Sequence, residues 1–186
     1  MKNIIVLCGP TGSGKTTLCE ILVNLHPARF GAAIIHTSRE RRPGEVDGFH
    51  YHFFPRRDMM KAVYDGLFIE SSTINGEIYG LTPGAVEAVT SRGLTCIVVT
   101  GTEGCDTLKK KWRDAASYIF IMPPGLSAIE SRLIARGDEV RTISDSLKSA
   151  EVDLRFINNN PDFFDRLIQN EDIAQAATDL IGFINQ

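Results

Sequence analysis

The sequence lacks a basic excess: 20 Lys and Arg stand against 23 Asp and Glu, a formal net charge of -3 over 186 residues. A dedicated nucleic-acid binder normally carries the opposite balance, so nucleic acid is not an expected partner. Long apolar runs are also missing, and none reaches the roughly 20 residues needed to cross a bilayer. The opening MKNIIVLCGP runs straight into a motif, with no apolar region and small-residue cleavage site of the secretory kind. Cysteine is scarce. Cys8, Cys19, Cys96 and Cys105 form no CxxC pair and have no His at metal-ligand spacing, which excludes a disulfide or zinc framework. Internal repeats, low-complexity tracts and Pro/Gly/Ser linkers are absent as well. What remains is a single soluble domain of ordinary composition, 43% hydrophobic and 23% charged, expected in the cytoplasm and away from membranes.

Apolar runs alternate with helical periodicity. Asn3 to Cys8 reads as a central strand buried on both faces, and Lys15 to Leu25 as a helix with Leu18, Ile21, Leu22 and Leu25 on one stripe. Ala32 to Thr37 reads as a second strand and Leu67 to Ile74 as another, closed by an Asn75-Gly76 turn. Thr82-Pro83 predicts an N-cap with Pro at the first helical position, and Ser127 with Glu130 a capping box. Thr95 to Thr100, Ser117 to Met122 and Arg166 to Ile168 read as further strands. Helices are expected over Ile143 to Ile157 and along the apolar face Ile173, Ala177, Leu180, Ile181 and Ile184. This alternation predicts an α/β fold with a parallel sheet of about five strands, helices on both sides.

One motif carries chemistry by itself. Gly9-Pro10-Thr11-Gly12-Ser13-Gly14-Lys15-Thr16, followed by Thr17, matches G-x-x-x-x-G-K-[ST] between a strand and an amphipathic helix. Its glycines let consecutive backbone N–H groups face phosphate oxygens at a helix N-terminus. Lys15 is expected to reach the β and γ phosphates of ATP, and the Thr16 hydroxyl to hold Mg²⁺. A second cluster, Arg39, Arg41 and Arg42, is followed by Tyr51 and Tyr79. Guanidinium forks and phenol hydroxyls suit a dianionic phosphate ester, so this region is the expected acceptor site. An Arg cluster standing alone would read instead as a solvated or RNA-facing loop.

The stretch Thr37-Ser38-Arg39-Glu40-Arg41-Arg42-Pro43-Gly44-Glu45-Val46-Asp47-Gly48 to Tyr51 resembles the acceptor signature of guanylate kinases. The likeness continues through Phe68-Ile69-Glu70, Gly76 to Gly80, Ile121 to Pro124, Arg132 to Gly137 and Ile168-Gln169-Asn170. The resemblance implies a P-loop fold with residues 37–81 as an acceptor insert, 127–148 as a lid, and 1–36, 82–126 and 149–186 as the core. It implies that Thr37, Arg39, Arg42, Tyr51 and Tyr79 hold the acceptor and that Glu70 reads guanine. It further implies that Arg132 and Arg136 neutralise the transferring phosphoryl, and that Asn170 lies near adenine.

The pattern departs from the family at five places, one of them near Ser146, where a third lid arginine falls in the family and Arg141 and Lys148 are close by. An Asp-x-Asp pair is replaced by Val99 and Gly101, and two base-reading serines by Ile35 and Leu81. Thr37, Thr82, Thr100 and Thr102 are candidate substitutes at the base, and Glu103, one turn on, is a candidate metal-shell carboxylate. Three readings stay open at this point: a kinase for GMP or dGMP, a nucleoside monophosphate kinase of shifted base choice, and a binding module without turnover. A sugar-phosphate kinase is disfavoured by the Arg39 to Tyr51 stretch and Glu70. Small-molecule substrates, with ATP and Mg²⁺, are the expected partners.

Overall fold

The computed structural model describes residues 2–185. The first strand, β1 (Ile4–Cys8), is buried along its whole length, as a continuous apolar run requires. It is the middle of a parallel sheet ordered β2 (Phe30–Ala32), β7 (Thr95–Val99), β1, β8 (Ala116–Met122), β9 (Arg166–Gln169). Side chains alternate across it. Val6 and Cys8 face one way, with Cys96, Val98, Tyr118 and Phe120, towards helices α3 (Pro83–Thr90) and α4 (Thr102–Trp112). Ile5 and Leu7 face the other, with Ile97, Ile119 and Ile121, towards α1 (Lys15–Leu25) and α7 (Ile173–Ile184). Burial pushes the Cys19 and Cys96 thiols up to about 12, so both are packing residues.

A second sheet holds β4 (His52–Phe53), β3 (His36–Thr37), β6 (Glu77–Leu81) and β5 (Glu70–Ile74), in that order, with α2 (Arg56–Tyr64) between β4 and β5 in the chain. Its β5–β6 hairpin turns at Asn75-Gly76, both at positive φ (51° and 81°), the pair of left-handed conformations that a tight hairpin favours. Helices α5 (Leu126–Ala135) and α6 (Val140–Asn159) pack through Ile129, Leu133, Ile143 and Ala150.

Three local expectations are corrected. Ala32 to Thr37 is not one strand: Ala32 closes β2 in the first sheet, while His36–Thr37 pairs with β4 and β6 in the second. An apolar run carries no mark of which sheet it serves. The strand expected from Leu67 begins at Glu70. Leu67 N–H donates to the Ala62 carbonyl and Gly66 N–H to that of Val63, so this segment closes α2 instead. The Ser127–Glu130 capping box is not formed: α5 starts two residues earlier than that cap implies, with Gly125 as its uncapped N-cap, and the Ser127 carbonyl accepts from the Ser131 hydroxyl. The Thr82 cap is present, its hydroxyl accepting from Ala85 N–H at 3.2 Å.

Candidate active site

The site lies where the chain leaves the carboxyl ends of β1 and β7, which are in register (Leu7 opposite Val99). A cavity of about 620 Å³ opens there. Such crevices at strand ends are where open parallel sheets take ligands. Its floor is the loop from Gly9 to Thr16. Gly9 has φ 144°, and a Cβ on it would lie 2.7 Å from the Ile121 carbonyl oxygen. Gly14, at φ 98°, is the N-cap of α1, and a Cβ there would fall on the Asn170 amide. Only glycine fits either position.

Lys15 Nζ donates to the carbonyls of Gly9 and Pro10 at 2.6 and 2.7 Å, arching over the loop. Burial brings its pKa down to about 8, against the pull of Cys8 and Asp153. Asn170 braces the loop from behind: it is buried, and its Nδ2 donates to the Ser13 carbonyl at 2.6 Å. Arg132 joins it, donating to the Asn170 carbonyl at 2.8 Å and to those of Gly12 and Ser13 at 3.2 and 3.3 Å.

The acceptor-side residues divide into two sets. Arg42, Tyr51, Glu70 and Tyr79 line the cavity, as do Lys15, Thr16, Thr17, Arg132, Arg136 and Asn170. Arg39 and Thr37 do not. Arg39 is clamped by Glu45 at 2.7 and 3.0 Å, its guanidinium standing 5.4 Å from the Tyr51 ring centre, and its N–H donates to the Thr37 hydroxyl. The Glu45 carboxylate also accepts from Arg42 N–H at 2.8 Å, so it shapes the whole arginine turn.

Glu70 is 5% exposed and its Oε1 has no partner. Burial raises its pKa to about 7, with Glu103 adding to the rise and the Ser72 hydroxyl opposing it. A buried acceptor without a donor is costly, and here it faces a cavity. Of the departing positions, Ile35, Val99 and Gly101 line the cavity, Leu81 is a core residue opposite Glu70 in the hairpin register, and Ser146 is buried on α6. Glu103 sits at the Glu70 end, where it also borders a smaller hollow beside α2.

Two features escaped sequence reading. Ser146, Ser149 and Asp153 lie at i, i+3 and i+7 on α6; Ser149 and Asp153 reach the cavity, and Ser146 accepts from Asn75 Nδ2 at 2.9 Å. That spacing was the available signal. Asp138, between α5 and α6, pairs with Arg136 and lies 3.8 Å from Arg42, its side chain 4% exposed. Both arginines hold its carboxyl below the usual carboxylate range, Arg136 foremost. Among the described residues, no group of three or more His, Cys, Asp or Glu is arranged to hold a metal ion. A divalent ion here would need phosphate oxygens and water alongside the Thr16 hydroxyl, which is how Mg²⁺ binds nucleotides.

Fold and site together define an α/β protein of the P-loop type, with arginines, tyrosines and a buried glutamate around one cavity. The family model described as guanylate kinase matches residues 1–186, so the chain belongs to the guanylate kinase family. It is 37% identical to guanylate kinase 1 of Oryza sativa subsp. japonica over 95% of this chain and 46% of that protein. It is 35% identical to guanylate kinase of Sus scrofa, over 92% of this chain and 86% of that one. The chain thus spans less than half the length of the plant relatives it matches. In structure it resembles guanylate kinase from Anaplasma phagocytophilum, with TM-score 0.76, 25% identity, and coverage of 98% and 84% of the two chains. No described helix is long and apolar enough to cross a membrane.

Proposed function

We propose that this chain transfers the γ-phosphoryl of ATP to GMP or dGMP, giving ADP and GDP or dGDP. The observation that carries the reading is a single cavity with the P-loop at one end and, at the other, the buried Glu70 carboxylate, whose Oε1 has no partner. In this reading residues 37–81 form the acceptor insert and 127–148 the lid. Arg42, Tyr51 and Tyr79 take the acceptor phosphate, with Arg39 and Thr37 supporting the arginine turn from behind. Glu70 accepts from the N–H edge of guanine, a contact that disfavours bases lacking those donors. Mg²⁺, when bound with ATP, withdraws charge from the β and γ phosphates.

Lys15 leaves the Gly9 and Pro10 carbonyls for the triphosphate, and Arg136 faces the charge that develops between donor and acceptor. An oxygen of the monophosphate forms the new bond to the γ-phosphorus as the bond to the β–γ bridging oxygen breaks. That oxygen is already anionic, so no general base is required. Enclosure by the lid keeps water from competing as acceptor. The four unpaired cysteines accord with a reducing, cytoplasmic setting.

Ile35 on the cavity wall, where a serine stands in the family pattern, favours a second reading in which base choice is shifted. The test is coupled ADP release with ATP, Mg²⁺ and a panel of ribo- and deoxynucleoside monophosphates. Turnover with GMP or dGMP above the others is expected. No turnover with any would overturn the kinase reading in favour of a binding module, and a preference for another base would overturn the guanine assignment alone.

A further inference from the structure

The end of β7 poses a chemical question. It borders the cavity beside the P-loop, yet Val99 and Gly101 bring no carboxylate there. Around a nucleotide, Mg²⁺ keeps several waters, and those waters need anionic acceptors to hold their orientation. Three carboxylates border the cavity: Glu70, Glu103 and Asp153. Glu70 lies beside Ser72 and Glu103, and Glu103 also borders the smaller hollow against α2 with Ser72 and Thr73.

Asp153 is placed differently. It comes from α6, on the face that also presents Ser149 to the cavity. The Thr102 hydroxyl, in the first turn of α4 immediately after Gly101, lies near its carboxylate; burial raises the pKa of Asp153, and Thr102 and Lys15 oppose the rise. Thr102 is itself bound from behind by the Cys8 thiol, at 3.8 Å, which ties this hydroxyl to the last residue of β1. Lys15, Thr16, Thr102 and Asp153 all line the cavity, with Asp153 in electrostatic reach of Lys15 and close to Thr102.

We propose that Asp153, oriented by Thr102, is the carboxylate that orders the water shell of Mg²⁺ at the triphosphate, supplying from α6 what β7 lacks. It is a positioning residue, acting through metal-bound water. The inference rests on the ATP-site reading above. Because α6 also carries Ser146, bonded to Asn75 of the β5–β6 turn, the same helix joins the metal end of the cavity to the insert.

The test is calorimetric binding of a non-hydrolysable ATP analogue to the full chain, in EDTA and in Mg²⁺. The quantity read is the factor by which Mg²⁺ tightens binding. For Asp153→Asn that factor is expected to fall about tenfold or more, the scale on which outer-shell partners act on metal affinity, with binding in EDTA retained. Asp153→Glu should keep most of it. An unchanged factor in Asp153→Asn, or an equal loss with and without Mg²⁺, would overturn the proposal, because a structural role weakens both alike. Should Asp153→Asn fail to fold, Thr102→Val decides: a reduced factor supports the assignment and an unchanged one overturns it. A wild-type chain that binds the analogue in neither condition would overturn the ATP site itself, a result distinct from failure of the Asp153 assignment alone.

Discussion

Arg42 lies 3.8 Å from the carboxylate of Asp138, and the same carboxylate is held by Arg136. One residue of the segment between α5 and α6 thus links an arginine of the β3–β4 loop to an arginine at the end of α5. Arg42→Ala is expected to raise the acceptor KM about 10- to 100-fold, the effect of losing a charge-assisted hydrogen bond to phosphate. Asp138→Asn should raise it less. The double variant should be little worse than Arg42→Ala alone, since the two act through one contact. Steady-state kinetics on the four proteins measures this, and strictly additive losses would dismiss the link.

Asn170 contributes to the P-loop by holding it, through Nδ2 and the Ser13 carbonyl at 2.6 Å. Asn170→Ala leaves that carbonyl with Arg132 alone, at 3.3 Å. Stability should fall by about 1 kcal/mol, the net worth of one hydrogen bond, and ATP affinity should fall with it. Urea unfolding and calorimetry test the pair of effects. Loss of ATP binding at unchanged stability would assign Asn170 to nucleotide contact instead.

Glu70 sets function against stability. Its pKa rises on folding from 4.5 to about 7, so the folded state binds the proton more tightly than the unfolded chain. The sign follows: the fold is most favoured by this group below pH 4.5, and that advantage is lost as pH rises through 7. At pH 8 the ionised form costs roughly 3 kcal/mol as an upper value. Glu70→Gln should therefore unfold at a higher temperature than the wild type at pH 8, with the difference vanishing near pH 4, while turnover of GMP collapses. Thermal unfolding across that pH range, paired with the kinase assay, reads both.

Gly104, in α4, makes room for the Glu70 end of the cavity. A Cβ there would fall onto the Thr100 hydroxyl and the Glu70 carboxylate. Gly104→Ala gains helix propensity yet should destabilise by about 1–3 kcal/mol, because two buried polar side chains must shift. The acceptor KM should rise while the ATP KM stays near its wild-type value. A variant with normal acceptor KM would show that Glu70 has freedom to move without consequence.

Much of this was legible because it is local. The P-loop needs glycines at fixed intervals, the Asn75-Gly76 turn needs two left-handed residues, and the Thr82 cap needs a hydroxyl before Pro83. Each signal lies within a few residues of the structure it specifies. The capping box at Ser127 was equally local and did not form, since α5 begins at Leu126 and uses no side-chain cap. Asp138 and Asp153 looked like ordinary charges on helical segments, and nothing nearby in the chain marks them as cavity residues.

By itself, then, the sequence determined the alternating α/β order, the phosphate loop and the set of arginines, tyrosines and one glutamate that suit a nucleotide acceptor. Tertiary structure alone decided which of these share a cavity. It brought Arg42, Tyr51, Glu70 and Tyr79 to the wall and set Arg39 and Thr37 behind it. It made Leu81 a core residue and Asn170 a brace. It also carried Asp153 from α6 to the side of Lys15, more than 100 positions away in the chain. The reason is physical. Backbone propensity and periodicity act over a turn or two, whereas the approach of two side chains is set by how sheets and helices stack, through contacts that leave no pattern in either segment alone.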